Sequence, residues 1–260
     1  VVGNIAYVAE VFSESDDPAE RGGLRIVDVS DPANPSEISY YPMYPRQSGY
    51  NRMYEPRGTR AVAVAGDYAY LVYGTSKSDG GLRILDISDP GNPTETGDYR
   101  DYIALVTDVI VVGYPAEGSE SVYVYLATGA NYGLIALDVS DPAKPTSLGT
   151  RMSGQAQDIA VAGNTLFVAD QRGGLHIADI SDPAHAHEVG FYDTLGDARG
   201  VVVAGNRVYV TDGLRGKIAA FKKIFDRTRL KEIIVFNGLK EKSYAHIFSS
   251  NHYLHTKITK

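Results

Sequence analysis

The sequence predicts an all-β fold, a β-propeller of four-stranded antiparallel blades with five repeats plus a partial sixth. Four segments nearly coincide, a strand pair precedes each of them, and the turns between strands carry the residues that tight turns require. The four segments are GGLRIVDVSDPANP at 22–35, GGLRILDISDPGNP at 80–93, YGLIALDVSDPAKP at 132–145 and GGLHIADISDPAHA at 173–186.

Each repeat is predicted to contain four strands. The first strand alternates as V-x-V and ends at a Gly-Asn or Gly-Asp turn, which is a typical two-residue hairpin signal. The second strand follows directly after that turn. The third is the G-L-R-I-V-D-V run, which ends at Ser-Asp-Pro because proline fixes φ and removes a ladder donor. The fourth is the short piece after the second proline, such as Glu37–Tyr41 or Glu188–Tyr192.

A unit of about forty residues cannot bury both faces of its sheet alone, and radial packing of several sheets solves that problem. No helical period lies between the strands, which argues against a parallel α/β fold. A β-solenoid is the competing all-β answer, but its coils are usually shorter and lack such hairpin turns. The propeller is therefore the favoured fold.

We expect one propeller domain over 1–260. KIAAF at 217–221 and EIIVF at 232–236 fit strands three and four of a fifth repeat whose Ser-Asp-Pro turn is lost, and 245–258 resembles strands one and two. A strand near 245–249 would complete the first blade of a closed five-bladed ring; otherwise the chain is part of a larger ring, or 222–260 is unrelated to the repeats. The expected repeats are 1–45, 60–100, 107–150, 157–195 and 199–238, with a degenerate closing segment at 242–260.

Composition limits the function classes. The chain has no cysteine, which excludes disulfides, thiolate zinc sites and a cysteine nucleophile. Its net charge is -7, yet residues 222–260 alone carry nine Lys or Arg against three Asp or Glu, so the body is acidic and nucleic acid is not expected as a partner. No apolar run approaches the ~20 residues of a transmembrane helix. The opening VVGNIAYVAE lacks the features of a signal peptide and resembles part of a folded strand pair.

The repeats resemble the LVIVD-type repeat, a relative of the YVTN and WD40 propeller repeats. The residues that carry the resemblance are LRIVDVSDPANP at 24–35 and its three copies, with the AVAGDYAYLV-type strand pair before them. It covers about 1–213 and fails over 222–260. The resemblance implies a propeller platform, found in bacterial and archaeal surface or secreted proteins, and so an extracellular or cell-envelope location. It implies no defined reaction, because one fold hosts many functions.

The regular Gly-Asn and Ser-Asp-Pro turns share one face of a propeller, and the irregular connections fall on the other, where we expect function. Tyrosines alternate with arginines in one insertion on that face, between Pro42 and Thr59. Tyr and Arg dominate interface hot spots, and Tyr also suits sugar stacking; the alternative is an insertion that packs on its own blade. The candidate binding residues there are Tyr44, Tyr50, Arg52, Tyr54 and Arg57.

A second insertion, Glu10–Arg21, is rich in acidic residues, of which Glu10 is the first. Glu14, Asp16 and Asp17 offer oxygen ligands suited to Ca²⁺, but they lack the spacing of a known calcium loop, and a solvated acidic loop is the alternative. No other cofactor is expected. The repeated aspartates of the Ser-Asp-Pro segments, by contrast, recur in every unit, which favours a structural turn over a metal site.

Charged residues also mark the ends of strands that would line an axial channel. They would form a polar pocket for a small molecule, or a salt-bridged plug. The candidates at the starts of first strands are Arg60, Asp108, Asp158 and Arg199, and those at the rim of the channel include Asp170 and Asp212.

The leading functional hypothesis is a non-enzymatic binding or scaffold module that recognises a protein or glycan through the variable face. The alternatives are a hydrolase or lyase with a polar site at the channel mouth, and a structural spacer. No Ser-His-Asp order, phosphate-binding glycine loop or HExxH motif is present. That does not exclude an enzyme, because propeller enzymes gather their residues from several blades.

Overall fold

Antiparallel sheets account for the regular structure of this computed structural model. It describes residues 1–11, 22–43, 59–74, 80–103, 105–116, 119–129, 133–152, 154–194, 196–205, 207–213, 217–222 and 232–236. The chain divides into two compact units, 1–154 and 155–260, which are treated separately below. The prediction of a single domain over 1–260 stays a prediction.

The first unit contains three sheets whose strands follow one another in chain order. Sheet 1 has three strands and sheets 2 and 3 have four each. Sheet 1 is β1 (Ile5–Glu10), β2 (Gly23–Asp28) and β3 (Ser36–Pro42); sheet 2 is β4 (Thr59–Ala65), β5 (Tyr68–Tyr73), β6 (Gly80–Asp86) and β7 (Thr94–Ile103); sheet 3 is β8 (Val106–Ala116), β9 (Ser119–Thr128), β10 (Gly133–Asp138) and β11 (Thr146–Met152).

The second unit contains two four-stranded sheets of the same kind. A short 3-10 helix, Pro183–His185, follows the third strand of sheet 4. Sheet 4 is β12 (Asp158–Ala162), β13 (Thr165–Asp170), β14 (Gly174–Asp179) and β15 (His187–Tyr192); sheet 5 is β16 (Ala198–Ala204), β17 (Arg207–Asp212), β18 (Lys217–Lys222) and β19 (Glu232–Phe236). The described residues therefore form a propeller-like fold of repeats, as predicted.

The predicted strands three and four of the decayed fifth repeat are confirmed as β18 and β19. In the first repeat, the strand pair begins with a tight turn, because Val2 and Ile5 exchange both backbone hydrogen bonds, at 2.8 and 3.0 Å. Glu10, placed by the sequence in the acidic insertion, is instead the last residue of β1 and pairs with Gly23. The segment 245–258 lies outside the described residues.

The Ser-Asp-Pro turns are held by their own aspartates. Asp28 Oδ1 accepts the Ser30 amide at 2.8 Å and Asp31 Oδ1 accepts the Ala33 amide at 3.0 Å, and the same two bonds recur in the other three copies. The hydrogen bonds from Ser30 lower the pKa of the exposed Asp28 carboxyl. These contacts support the predicted structural role for the repeated aspartates.

Hydrophobic cores lie between neighbouring sheets, and alternate residues of one strand supply different cores. In β5, Ala69, Leu71 and Tyr73 face sheet 1, whereas Tyr70 and Val72 face sheet 3. Phe167 of sheet 4 and Val208 of sheet 5 belong to the corresponding core of the second unit. β5 is thus buried on both faces, which explains its nearly continuous apolar sequence.

A second junction lies where the fourth strand of one sheet meets the Ser-Asp-Pro turn of the next. Ser39 of β3 donates its hydroxyl to the Pro90 carbonyl oxygen at 2.6 Å. At the same register position of β7, Gly97 lies so close to Pro142 that a Cβ added to it would come under 3.0 Å from the Pro142 carbonyl oxygen. Both positions follow a β-bulge, and the close approach at Gly97 leaves no room for a Cβ.

No helix in the described part of the chain has the length and apolar character needed to cross a bilayer.

Candidate functional site

In each repeat the connections between strands two and three, and between one repeat and the next, lie at the strand ends opposite the Ser-Asp-Pro turns. We call this end the loop face. The predicted site residues that the structure describes lie at this end of their own sheets: Arg60 and Asp108 in the first unit, and Asp158, Asp170, Arg199 and Asp212 in the second.

The first strands of sheets 2, 3 and 5 each start with a β-bulge. The bulged residues occupy one register position: Arg60 in sheet 2, Thr107 in sheet 3 and Arg199 in sheet 5. Arg60 Nε donates to the Gly74 carbonyl oxygen at 2.7 Å, and Thr107 Oγ1 donates to the Ala127 carbonyl oxygen at 3.2 Å. These side chains therefore fold back onto the end of strand two of their own sheet.

The two predicted first-strand aspartates are equivalent in register. Asp108 is opposite Ala127 and Asp158 is opposite Ala169. Asp158 is 8 % exposed, and its carboxylate accepts the Ile159 amide at 3.0 Å and the Val201 amide of the next sheet at 2.7 Å. Asp158 thus joins sheets 4 and 5 through the backbone.

The two predicted rim aspartates are the last residues of their strands and are buried. Asp170 accepts the Gln155 amide, which holds the segment before β12 against the end of β13. Asp212 lies directly against Gly196, where an added Cβ would collide with the carboxylate. Asp170 therefore fixes the backbone of one loop-face connection, and Asp212 packs against another.

Two arginines are more exposed at the same end of the second unit. Arg172 Nε is 3.8 Å from Asp197 Oδ1, and Arg199 Nη2 is 3.9 Å from Asp197 Oδ2. Their side chains are 93 % and 68 % exposed, so these long ion pairs contribute little to stability.

A polar cluster that the sequence analysis did not predict lies between sheets 1 and 2. The Arg83 side chain is 3 % exposed, and its Nε lies 3.5 Å from Glu95 Oε2 and 3.6 Å from Asp98 Oδ1. Asp98 also accepts the Tyr73 hydroxyl at 2.9 Å and the Arg100 Nε at 2.7 Å. Burial is the main cause that raises the pKa of the Tyr73 hydroxyl, so it stays a neutral donor.

This cluster is directly connected to the start of the Tyr/Arg insertion. Arg83 Nη1 donates to the Met43 sulfur at 3.0 Å, and Met43 is the second residue of that insertion and the last one described before Thr59. The insertion therefore leaves the scaffold from a buried, ion-paired base. Its candidate binding residues all lie outside the described residues and stay predictions: Tyr44, Tyr50, Arg52, Tyr54 and Arg57.

A repeat alignment could have found this cluster. The residue after the leucine that marks the third strand is Arg25, Arg83, Ile135 or His176 in the four copies. A charged residue inside an apolar strand needs a partner, so the recurrence was a usable signal. The partners come from strands two and four and were not predicted. The strand-four glutamate recurs as Glu37, Glu95 and Glu188, whereas the position of Asp98 is occupied by Tyr40 in sheet 1 and by Phe191 in sheet 4.

Metal binding is not supported by the part of the chain that is described. It contains no group of three or more His, Asp or Glu side chains placed to hold a metal ion. The Ca²⁺ candidates Glu14, Asp16 and Asp17 lie outside it and stay a prediction.

Comparisons with solved structures show the fold. A crystal structure described as a putative 6-phosphogluconolactonase from Bacteroides uniformis ATCC 8492 is 14 % identical, with a TM-score of 0.63, over 89 % of this chain and 67 % of that one. A functionally unknown protein from Desulfotomaculum acetoxidans DSM 771 is 13 % identical, with a TM-score of 0.61, over 89 % and 69 %. The computationally designed Ika8 protein is 12 % identical, with a TM-score of 0.53, over 85 % and 56 %.

A search of curated proteins returned no match. The family model described as the LVIVD repeat matches residues 1–42, 56–101, 121–152, 153–194 and 195–216. These matches cover most of the chain and confirm the resemblance to the LVIVD-type repeat that the sequence showed over about 1–213. The chain therefore belongs to the LVIVD repeat family.

Proposed function

We propose that the chain is a non-enzymatic binding or scaffold module that recognises a protein or a glycan through its loop face. The observation that carries the proposal is that charged side chains at that face form hydrogen bonds with the backbone. Asp158 and Asp170 accept backbone amides, and Arg60 donates to a backbone carbonyl. Carboxylates that hold the backbone are suited to keeping a scaffold rigid.

The Tyr/Arg insertion supports the same proposal. It leaves the scaffold beside the buried Arg83 and Asp98, so its base is rigid while its sequence is rich in the residues that dominate interface hot spots. A rigid scaffold that presents a variable loop is a common arrangement for recognition. An extracellular or cell-envelope location is part of the proposal, because surface and secreted proteins share this repeat.

A test compares the wild type with a variant in which Tyr50, Arg52 and Tyr54 are all replaced by alanine. Binding is measured on a glycan array and against a displayed peptide library, with Lys144→Ala as the control because Lys144 is exposed at a Ser-Asp-Pro turn, away from the loop face. We expect the triple variant to lose at least tenfold in affinity and to keep its melting temperature, and the control to bind normally. Equal binding by the triple variant and the wild type would exclude the insertion as the recognition surface.

The alternative is a hydrolase or lyase with its site at the loop face. Hydrolysis of 6-phosphogluconolactone is a direct test, because one structure of similar fold is described as a putative enzyme of that kind. Under the binding proposal the purified chain gives no turnover above background. Turnover that is lost in Asp108→Asn would replace the binding proposal by the enzymatic one.

A further inference from the structure

Three of the four copies place a basic residue at one position in the third strand, and the copy in sheet 3 has Ile135 there. In sheet 1 this residue is Arg25, whose Nε lies 2.6 Å from Glu10 Oε1 and whose Nη1 contacts Glu37. In sheet 2 it is Arg83, beside Glu95 and Asp98. We call this position, with the acidic side chains around it, the cation slot.

Sheet 4 places a histidine in the cation slot. His176 Nδ1 lies 2.7 Å from Glu188 Oε2, and His176 Nε2 lies 3.4 Å from Asp170 Oδ2. The two carboxylates take the register positions of Glu37 and Glu10 in sheet 1, because each pair lies opposite the same positions of the third strand. The surroundings are those of an arginine, but the residue is titratable.

Asp170 from β13 and Glu188 from β15 are the charged groups that face the imidazole among the described residues. The Phe191 ring packs on it with centroids 5.0 Å apart. The segment before β12 contributes the Gln155 amide, which bonds to the other oxygen of Asp170. The imidazole and this segment therefore share one carboxylate.

We infer that His176 is a pH-sensitive latch, which holds Asp170 and through it the Gln155 segment of the loop face when the imidazole is protonated. Arginine keeps the equivalent slots of sheets 1 and 2 filled at every physiological pH. When His176 loses its proton, two carboxylates face a neutral ring, and the half-buried slot has lost its counter-charge. The loop-face segment of sheet 4 is then less firmly held than its equivalents.

The direction in which pH changes the stability follows from the two carboxylates beside His176. The Asp170 carboxylate, with Glu188, raises the pKa of His176 above its ordinary value of 6.5, against the opposing effect of partial burial. A group whose pKa is raised by folding stabilises the folded state fully below its unfolded pKa. That contribution is lost as the pH rises through the folded pKa. The latch is therefore closed in mildly acidic solution and opens toward alkaline pH.

Histidine resonances of the intact chain, followed by NMR from pH 5 to 9, test the first step. We expect the His176 ring to titrate above 6.5, and a midpoint at or below 6.5 would overturn the inference. This measurement uses the wild type alone, so it does not depend on any variant folding.

Thermal unfolding at pH 6 and pH 9 tests whether protonation of His176 stabilises the folded chain. The proteins compared are the wild type, His176→Arg, His176→Gln and His187→Gln. His187 is exposed at the turn end of the same sheet and serves as the matched control. Between the two pH values we expect the melting temperature of the wild type and of the control to fall by about 2–4 °C more than that of His176→Arg. His176→Gln should lack this extra loss because glutamine does not titrate.

Hydrogen exchange of the Gln155 amide gives a local readout. We expect its protection at pH 9 to be at least fivefold greater in His176→Arg than in the wild type, and equal in the two proteins at pH 5.5. Equal protection at pH 9, or the same pH dependence of unfolding in both proteins, would show that the histidine does not act as a latch.

Discussion

The close approach of Gly97 to the next sheet allows a sharp test of how the repeats dock. A methyl group at this position would lie under 3.0 Å from the Pro142 carbonyl oxygen, whereas ordinary van der Waals contact begins at 3.4 Å. The oxygen belongs to a turn whose backbone is fixed by its own aspartates, so it cannot rotate away as a flexible side chain does. Gly97→Ala must therefore push sheets 2 and 3 apart or distort β7.

The matched control is Gly190→Ala, at the same register position of sheet 4. There an added Cβ would meet the Ile177 Cδ1 atom at 3.6 Å, which is an ordinary contact. Overpacking a well-packed interface costs about 1–3 kcal/mol, and the fixed backbone oxygen at Gly97 puts the expected cost near the upper end. Alanine at an unstrained glycine position is neutral or stabilises by about 0.4–1 kcal/mol.

Urea unfolding followed by tyrosine fluorescence and circular dichroism measures both variants against the wild type. We expect Gly97→Ala to lower the free energy of unfolding by about 2–3 kcal/mol and the melting temperature by about 2–4 °C for each kcal/mol. We expect Gly190→Ala to change neither appreciably. If Gly97→Ala proved as stable as Gly190→Ala, the docking of the proline carbonyl against the fourth strand would be refuted as a stabilising contact.

Three further predictions concern the ion pairs, the turns and the core. Asp98→Ala should lower the free energy of unfolding by about 3–5 kcal/mol, because it leaves the buried Arg83 guanidinium without its most buried partner. Glu95→Ala should lower it less, because the Glu95 side chain is 25 % exposed. Equal losses for the two variants in urea unfolding would contradict this. Hydrogen bonds lower the pKa of the Asp31 carboxyl in the folded chain. Its stabilising contribution is therefore present above its unfolded pKa and is lost as the pH falls through the lower folded pKa. Asp31→Asn should lose less stability than the wild type between pH 5 and 2.5. Val168 and Val8 occupy equivalent positions but are 4 % and 43 % exposed. Val168→Ala should therefore lower the free energy of unfolding by about 2 kcal/mol and Val8→Ala by under about 1 kcal/mol. Similar losses in the two variants would contradict the difference in burial.

The strand pattern was predictable because local signals dominate it. Gly163 and Gly205 have positive φ and sit in the hairpin turns that the Gly-Asn signal predicted. The decayed strands at 217–222 and 232–236 were found because period and position in the repeat survived the loss of the Ser-Asp-Pro turn. Such features depend on residues adjacent in sequence.

The cluster around Arg83 was not predicted because its members come from three strands, β5, β6 and β7. Asp98 and Tyr73 are not part of the repeated motif, and their proximity depends on the bulge in β7 and on the packing of sheet 2 against sheet 1. The predicted charges at strand starts were placed at equivalent or neighbouring register positions, as the sequence indicated. Their contacts with backbone amides and carbonyls were not evident, because a sequence does not show which backbone groups lack a partner.

The junction of a small fourth-strand residue with a proline carbonyl spans two repeats, and it determines which changes of repeat number the fold can tolerate. Ser39 and Gly97 belong to one copy each, whereas Pro90 and Pro142 belong to the following copy. Duplication or deletion of the copy that forms sheet 2 would again bring Ser39 or Gly97 against a proline carbonyl, because that copy carries both halves of the junction. A recombination point inside a copy, between its Ser-Asp-Pro turn and its fourth strand, would also place a proline carbonyl beside a small fourth-strand residue. The number of copies can therefore change without a new kind of interface between them.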